Sequence, residues 1–456
     1  GKINAGISLR IVFHFTQDSS GKLITTMDSP DQSTVGLPTD FTLVQNDSIY
    51  TGIEKYKVFF SGKLISDTVI NGFFKQTIPI PLLLRKVSAA SVTIRRQTPV
   101  APFPYNSENI TYPSVNGVKI AGTITTPKLP PNTENIQATK YPALILISGS
   151  GPQNRDEEIL GHKPFAVIAD YLTKKGFIVL RVDDRGTGES TGEYNKATSL
   201  DFADDIQYGL NYLKKRADID TGKIGMLGHS EGAMIAQIIA AKRKDIDFLI
   251  MLAGPGIKTI DLMTEQNLAI FKTMGITKNT IDAYGPLYKE LSLAIVNSRD
   301  SLSADNASRK VFNKWVKGKD SSILKELKLL NSESQRSYLN AMISTLRGPW
   351  YKYFLSYNPS PYLQKIHAKI LVLNGEKDIQ VLSKTNLAGM QASLQKTKSD
   401  FEIHEIKGIN HLFQKCNNCT LSEYGVLEET ISPTVLQLIG NWLERKVQNG
   451  RRGPLQ

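Results

Sequence analysis

A serine between two glycines is the feature of this chain best suited to chemistry. Ser230 lies in the pattern G-x-S-x-G at 228–232, after a short apolar run and before a segment with helical periodicity. A nucleophile elbow requires this context, because a strained turn between a strand and a helix exposes the serine hydroxyl at the end of a sheet. The pattern is short, and an ordinary glycine-rich turn is the alternative. We predict that Ser230 is a nucleophile.

A nucleophilic serine needs a histidine and an acid, and two later segments supply them in a suitable order. The strand-like run 369–374 precedes Asp378, and the alternating run 401–406 precedes His411. Side chains that follow parallel strands meet at one edge of a sheet, where the elbow also lies. Glu376 is the alternative acid and His404 the alternative base. The predicted triad is Ser230, Asp378 and His411.

A third loop carries a longer motif. After the apolar run 143–147, residues 148–156 read S-G-S-G-P-Q-N-R-D. With the serine, acid and histidine motifs, this loop resembles the α/β-hydrolase superfamily, and within it bacterial serine esterases with an S-G-S-G-P-x-x-R-D loop. The resemblance implies an α/β fold with a mostly parallel, doubly wound sheet, and chemistry that needs no cofactor and no metal.

The resemblance also implies an oxyanion hole built from backbone amides. Its donors would be the N–H of Glu231 and that of Ser150, with Gly151 as the alternative. The commoner lipase loop begins with histidine, whereas this chain has Ser148 there. The position of the loop's donor is therefore left open between Ser150 and Gly151.

A glycine-rich loop with acidic residues occupies 182–190. It could suggest a phosphate site, but no helix start with Gly-Lys-Ser/Thr follows. We interpret it as a structural brace in which Arg185 pairs with Asp156 or Asp183.

The remaining sequence predicts two domains. Short strand patterns indicate a small all-β barrel or sandwich at 1–95, with packing or dimerisation as its expected role and carbohydrate binding as the alternative. A proline-rich linker at 96–108 precedes the hydrolase domain at 109–456. A helical insertion at about 256–362 is expected to form a cap, in which Trp350 and Phe354 either line the substrate pocket or pack the cap down.

Composition excludes some functions. The net charge is +12, but no stretch combines basic and aromatic residues in a nucleic-acid motif, so weak attraction to anionic surfaces or polymers is the expected consequence. No apolar run approaches the ~18 residues of a membrane span. The chain starts at Gly1, and we expect an exported protein whose signal peptide has been removed, with a cytoplasmic location as the alternative.

Two cysteines, Cys416 and Cys419, follow the predicted catalytic histidine. A pair is too few for a four-ligand zinc site. We expect a local disulfide, consistent with export, and two free thiols are the alternative.

The expected function is that of a serine carboxylesterase acting through an acyl-enzyme on a small-molecule or saccharide-linked ester, and the expected acyl group is short. The same triad serves acyltransferases and prolyl-oligopeptidase-like peptidases, although about 95 residues are too few for the β-propeller of that peptidase type. A non-catalytic binding protein on a hydrolase fold is the alternative from another class. The sequence indicates no oligomeric state.

Overall fold

The structure is a computed structural model of the 456-residue chain. It describes residues 1–4, 8–18, 20–29, 34–76, 79–87, 95–128 and 140–448. They form two compact units, of which the first contains residues 1–98, 158–163 and 421–429. The second contains the remainder. The first unit therefore takes in two segments that lie within the predicted hydrolase domain.

The first unit is built from antiparallel strands. Sheets of two, three and five strands have the orders β1-β2, β3-β4-β5 and β10-β9-β8-β7-β6. The strands are β1 (Lys2–Asn4), β2 (Ser8–Arg10), β3 (Val12–Gln17), β4 (Leu23–Ser29), β5 (Thr34–Pro38), β6 (Phe41–Gln45), β7 (Ser48–Ile53), β8 (Val58–Ser66), β9 (Val69–Lys75) and β10 (Pro79–Arg85).

Alternation along the strands explains the core of this unit. In β8, Val58 and Phe60 are buried whereas Phe59 and Ser61 are exposed, as the two-residue period of a strand requires. Arg95 ties the two added segments to the unit, since Nη2 donates to the Gly425 carbonyl at 2.6 Å and to the Leu160 carbonyl at 3.2 Å.

The second unit contains an eight-stranded sheet of order β11-β12-β14-β13-β15-β16-β17-β18. The strands are β11 (Tyr105–Pro113), β12 (Lys119–Pro127), β13 (Tyr141–Ile147), β14 (Ile178–Val182), β15 (Ile219–His229), β16 (Phe248–Leu252), β17 (Lys369–Gly375) and β18 (Phe401–Ile406). From β14 to β18 neighbouring strands are parallel, while β11 and β12 pair antiparallel. β11 begins inside the predicted linker.

Twelve α-helices belong to the described part of this unit. They are α1 (Pro164–Lys174), α2 (Ser199–Lys214), α3 (Glu231–Ala240), α4 (Thr259–Thr273), α5 (Lys278–Val296), α6 (Ser301–Lys317), α7 (Ser321–Glu326), α8 (Ser332–Leu346), α9 (Pro349–Ser356), α10 (Ser360–Leu363), α11 (Ser383–Leu394) and α12 (Pro433–Lys446). Helix α1 packs against helix α12. Helices α2 and α3 pack against each other and against strands of the sheet.

This arrangement confirms the predicted fold class, a mostly parallel sheet covered by helices and preceded by all-β sheets. Strands β13, β14 and β16 are apolar and almost fully buried, because helices cover both faces of a parallel sheet. The parallel strands end at one edge. Ser230, Asp378 and His411 all follow strands at that edge.

A helical insertion, defined here as α4–α10, separates β16 from β17. No helix among the described residues has both the length and the apolar character to span a bilayer.

The predicted partners of Arg185 are wrong. Its Nε and Nη2 donate to the two carboxylate oxygens of Asp205 at 2.7 and 2.8 Å. Asp183 instead accepts from Arg155, at 2.6 Å to Nη2, and Asp156 pairs with Arg181. Sequence proximity suggested the wrong pairs, because α2 brings Asp205 back to the loop that carries Arg185.

Candidate active site

The strand–turn–helix at Ser230 has the geometry of a nucleophile elbow. Ser230 separates β15 from α3 and has φ 54° and ψ −117°, a backbone conformation that costs a non-glycine residue free energy and is typical of functional sites. Its amide donates to the Leu252 carbonyl of β16 at 2.8 Å. No hydrogen-bond partner of the Ser230 hydroxyl occurs in the described part of the chain, so this group is available to a substrate.

The two flanking glycines are required by close backbone contacts. A Cβ at Gly228 would lie 2.2 Å from the Gly232 carbonyl oxygen, and a Cβ at Gly232 would lie 2.0 Å from that of Ile147. Both distances are far below van der Waals contact, so a side chain at Gly228 would displace α3 from β15, and one at Gly232 would displace α3 from β13.

Asp378 and His411 form a buried pair. His411 Nδ1 lies 2.8 Å from Asp378 Oδ2, and the other carboxylate oxygen accepts from the amides of Gln380 and Val381 at 2.8 and 2.9 Å. These amides fix the carboxylate, so it orients the imidazole with Nε2 free to act as a base.

The alternative acid and base lie elsewhere. Glu376 accepts from the Gly408 amide at 3.0 Å, which helps to lower the pKa of this exposed carboxyl group. The His404 side chain is 42% exposed and lies 3.6 Å from Glu402. Neither makes a recorded contact with the Asp378–His411 pair.

The loop after β13 lies against Ser230. A Cβ at Gly149 would be 3.4 Å from Ser230 Cβ, and the Gly149 amide donates to Glu157 Oε1 at 2.6 Å. The Ser148 hydroxyl, at the position of the lipase histidine, donates to Asp184 at 2.9 Å. The loop is therefore held by buried carboxylates.

Two backbone amides near Ser230 can bind an oxyanion. Within the described residues, the Ser150 amide has no recorded partner. Glu231 is the first residue of α3, so its amide has no acceptor within the helix. Ser150 lines the cavity that contains Ser230, whereas Gly151 is not among the described residues of that lining. This placement favours Ser150 over Gly151 as the loop's donor.

A second histidine, which sequence reasoning passed over, links these parts. His229 Nδ1 lies 2.9 Å from Glu157 Oε1, and Nε2 lies 3.0 Å from the His411 carbonyl oxygen. Both neighbours are acceptors, so both contacts are hydrogen bonds only when the ring is doubly protonated. Burial opposes that charge, but the Glu157 carboxylate outweighs it and raises the pKa of His229. His229 thus connects the loop after β13 to the loop of His411.

The Glu231 side chain joins the helical insertion to the elbow. Its Oε1 accepts from the Ser199 hydroxyl at 2.6 Å and from Trp350 Nε1 at 2.7 Å. Burial raises the pKa of Glu231 to about 7 even though both hydrogen bonds favour the anion. The sequence analysis assigned a role only to the backbone of Glu231. The carboxyl group directly after Ser230 was the signal that could have indicated a role for its side chain.

Trp350 and Phe354 line a cavity of about 100 Å³ that contains Ser230. Helices α4 and α9 supply much of its wall. The lining residues are Ser150, Ser230, Glu231, Pro255, Leu262, Met263, Gln266, Trp350, Tyr351, Phe354, Gln380 and Val381. Trp350 stacks on Phe354 with ring centroids 5.0 Å apart. Ligand pockets for drug-sized molecules measure about 300–1,000 Å³, so this cavity suits a small group.

Cys416 and Cys419 form a disulfide in the loop that follows His411. Their sulfur atoms are bonded to each other, so neither is a thiolate that could ligate a metal.

A family model described as "Serine aminopeptidase, S33" (Hydrolase_4) matches residues 163–314, about a third of the chain. The match includes the elbow and ends within the helical insertion. The chain has the α/β-hydrolase fold. It is also 32% identical over 190 residues to esterase EstD of Thermotoga maritima, an alignment that covers 42% of each protein. The chain thus spans about two fifths of the length of this curated relative.

Two solved structures resemble this chain. The α/β-hydrolase GrgF from Penicillium sp. sh18 is 17% identical, with coverage of 75% of this chain and 99% of GrgF and a TM-score of 0.43. The Pyrococcus furiosus esterase Pf2001 is 15% identical, with coverage of 75% and 92% and a TM-score of 0.45.

The contacts of the two candidate acids predict different effects on catalysis. Asp378→Asn should lower ester turnover by about 10³- to 10⁴-fold, because an amide favours the wrong imidazole tautomer. Glu376→Gln, on the same loop, is the matched control and should retain most activity. The measurement is kcat for both variants; equal losses would contradict the assignment.

The raised pKa of Glu231 predicts a pH-dependent stability. An unfolded glutamate ionises near pH 4.5 and the buried one near pH 7, so this group's stabilising contribution is complete below pH 4.5 and is lost as the pH rises to 7. The loss should be about 3 kcal/mol. The amide in Glu231→Gln does not titrate, so this variant lacks the pH-dependent loss of stability. The free energy of unfolding of the variant minus that of wild type, measured by urea denaturation, should therefore increase between pH 4.5 and 7 and then level off.

The same measurement on Glu376→Gln is the control, since that exposed carboxyl group has a lowered pKa. A constant difference between Glu231→Gln and wild type across this range would show that Glu231 is not a high-pKa acid.

Proposed function

We propose that this hydrolase is a serine carboxylesterase that acts on esters of short carboxylic acids. The observation that carries the proposal is the Asp378–His411 pair, hydrogen-bonded at 2.8 Å, at the same sheet edge as the strained Ser230. Acyl transfer through serine needs a serine hydroxyl, an oriented imidazole that acts as a base, and two amides that can bind an oxyanion.

In the first half of the reaction, Ser230 Oγ attacks the ester carbonyl carbon while His411 Nε2 accepts the hydroxyl proton. The carbonyl oxygen becomes an oxyanion that the Ser150 and Glu231 amides stabilise. As the carbon–oxygen bond to the alcohol breaks, His411 returns the proton to the departing alcohol, which leaves an acyl group on Ser230.

In the second half, water attacks the acyl-enzyme and gives a proton to His411. Collapse of the second oxyanion intermediate breaks the bond to Ser230 Oγ, and the proton passes to the serine. The carboxylic acid is released. Asp378 stays ionised and stabilises the imidazolium in both halves.

An aminopeptidase is the second candidate, because the matching family model carries that description. Such an enzyme must bind a substrate ammonium group, for which a free carboxylate is the usual partner. Among the described residues that line the Ser230 cavity, Glu231 is the one acidic residue. It already accepts from Ser199 and Trp350, and burial favours its neutral form. These features support an uncharged ester over a peptide amine.

The first test replaces the nucleophile. Ser230→Ala should lower the turnover of p-nitrophenyl acetate by about 10⁴-fold or more and leave the protein folded. Ser150→Ala is the matched control in the same cavity, because it removes a hydroxyl group but keeps the backbone amide. Intact-mass detection of a fluorophosphonate adduct on Ser230→Ala would refute the proposal, and faster hydrolysis of alanine p-nitroanilide than of the ester by the wild type would favour the peptidase.

The second test concerns acyl length. Esters should be turned over best with short acyl chains, and kcat/KM should fall beyond about six carbons, because each added methylene helps only while the pocket has room. Trp350→Ala and Phe354→Ala remove wall atoms and should move the optimum to longer chains. Tyr353→Ala, on the same helix but outside the cavity lining, is the control. An unchanged acyl preference with lowered stability in both wall variants would show that the aromatics only pack.

A further inference from the structure

The five-stranded sheet of the first unit has one face of unusual composition. Pairing places alternate residues of β6–β10 in rows across this face, which we call the outer face. One row contains Phe41, Gly52, Phe59, Lys75 and Pro79, the next contains Leu43, Tyr50, Ser61, Phe73 and Pro81, and a third contains Gln45, Ser48, Lys63, Asn71 and Leu83. The alternating residues on the other side form the buried core of the unit.

Large apolar side chains of the outer face are accessible to solvent. Leu43 and Phe73 are each 53% exposed, and Leu83 is 43% exposed. Soluble proteins rarely keep an apolar patch of this kind without a partner. A hollow of about 610 Å³ opens on the face between the aromatic rings.

Gly52 shapes the hollow. A Cβ at this position would lie 2.7 Å from the Phe59 ring and 3.0 Å from the Phe41 ring, whose centroids are 6.5 Å apart. Only glycine therefore lets the two rings approach across β7. The exposed aromatic residues belong to an ordered arrangement with a specific backbone requirement.

The charges of the outer face have one sign. The five strands contain no aspartate or glutamate, whereas Lys63, Lys75 and Arg85 all lie on the outer face. None of these three cations has a carboxylate partner among the described residues. A second copy of the same face would oppose cation to cation, so like-charge repulsion disfavours a symmetric pair of outer faces.

We propose that the outer face binds the surface of an anionic lipid bilayer. Exposed phenylalanine and leucine side chains can enter the boundary of the acyl chains, while lysine and arginine side chains contact anionic headgroups. The exposed Leu43 and Leu83 offer a sugar neither a hydrogen bond nor an aromatic ring to stack on, which favours lipid over polysaccharide. The inference is independent of the hydrolytic site, because all of its residues belong to the first unit.

The experiment is co-sedimentation of the full chain with vesicles. Vesicles of phosphatidylcholine mixed with phosphatidylglycerol should bind the protein, vesicles of phosphatidylcholine alone should bind little, and added salt should weaken binding through screening. Lys63→Gln and Lys75→Gln should each lower the partition coefficient about fivefold. Leu43→Ser and Phe73→Ser should also weaken binding, and circular dichroism should show them folded.

Matched controls lie in the helical insertion. Leu302 is 71% exposed, and Leu302→Ser should bind vesicles as wild type does. Lys314→Gln and Lys325→Gln, on exposed helical positions, should reduce binding much less than the two lysine variants of the outer face. Equal losses would mean that total charge, and not this face, drives binding.

Three results would overturn the proposal. One is the absence of binding to the anionic vesicles at low salt. Another is a dimer in light scattering that Leu43→Ser and Phe73→Ser convert to a monomer, without vesicle binding. The third is binding of dextran sulfate without binding of vesicles. Esterase activity, measured in the same samples, should be unchanged in all four outer-face variants, so failure here is distinguishable from failure of the proposed function.

Discussion

The close approach of helix α3 to strand β13 is the constraint on which the candidate active site depends. Gly232 lets the helix start against the Ile147 carbonyl, and Gly228 lets the strand run directly into the turn. With those contacts made, the backbone of Ser230 must turn sharply and adopt positive φ. The same turn presents the Ser230 hydroxyl and leaves the first amide of α3 without an acceptor inside the helix, so the proposed nucleophile and the proposed oxyanion donor depend on one packing constraint.

Buried carboxyl groups hold the surrounding loops in register with the elbow. Glu157 binds the Gly149 amide and His229, and His229 binds the carbonyl of His411. Asp184 accepts from Ser148, and burial raises its pKa well above the usual range. Removing such groups from water is costly unless hydrogen bonds compensate. Their contacts therefore couple the positions of the loop after β13, of the turn at Ser230 and of His411.

Trp350 connects the helical insertion to the elbow. Trp350 donates to Glu231 and stacks on Phe354, so the wall of the small cavity is tied to the residue whose amide is the proposed oxyanion donor. The hydrogen bond and the ring contact of Trp350 therefore connect the wall of the cavity to the elbow. In the first unit, the composition of the outer face follows from strand register, because alternation places aromatic and basic side chains on the same side of the sheet.

Local sequence carried much of the fold and the identities of the candidate residues. Apolar runs followed by Ser230, Asp378 and His411 indicated parallel strands with reactive residues at their ends, because strand period, glycine turns and chain order are local properties. Partners distant in sequence were decided only by tertiary structure. Arg185 meets Asp205 through the return of α2, and His229 meets Glu157 across 72 residues of chain. Such pairs form because helices pack on the sheet and bring distant residues together. The sequence offers each carboxylate several possible cations, and only the packing decides which one lies within reach.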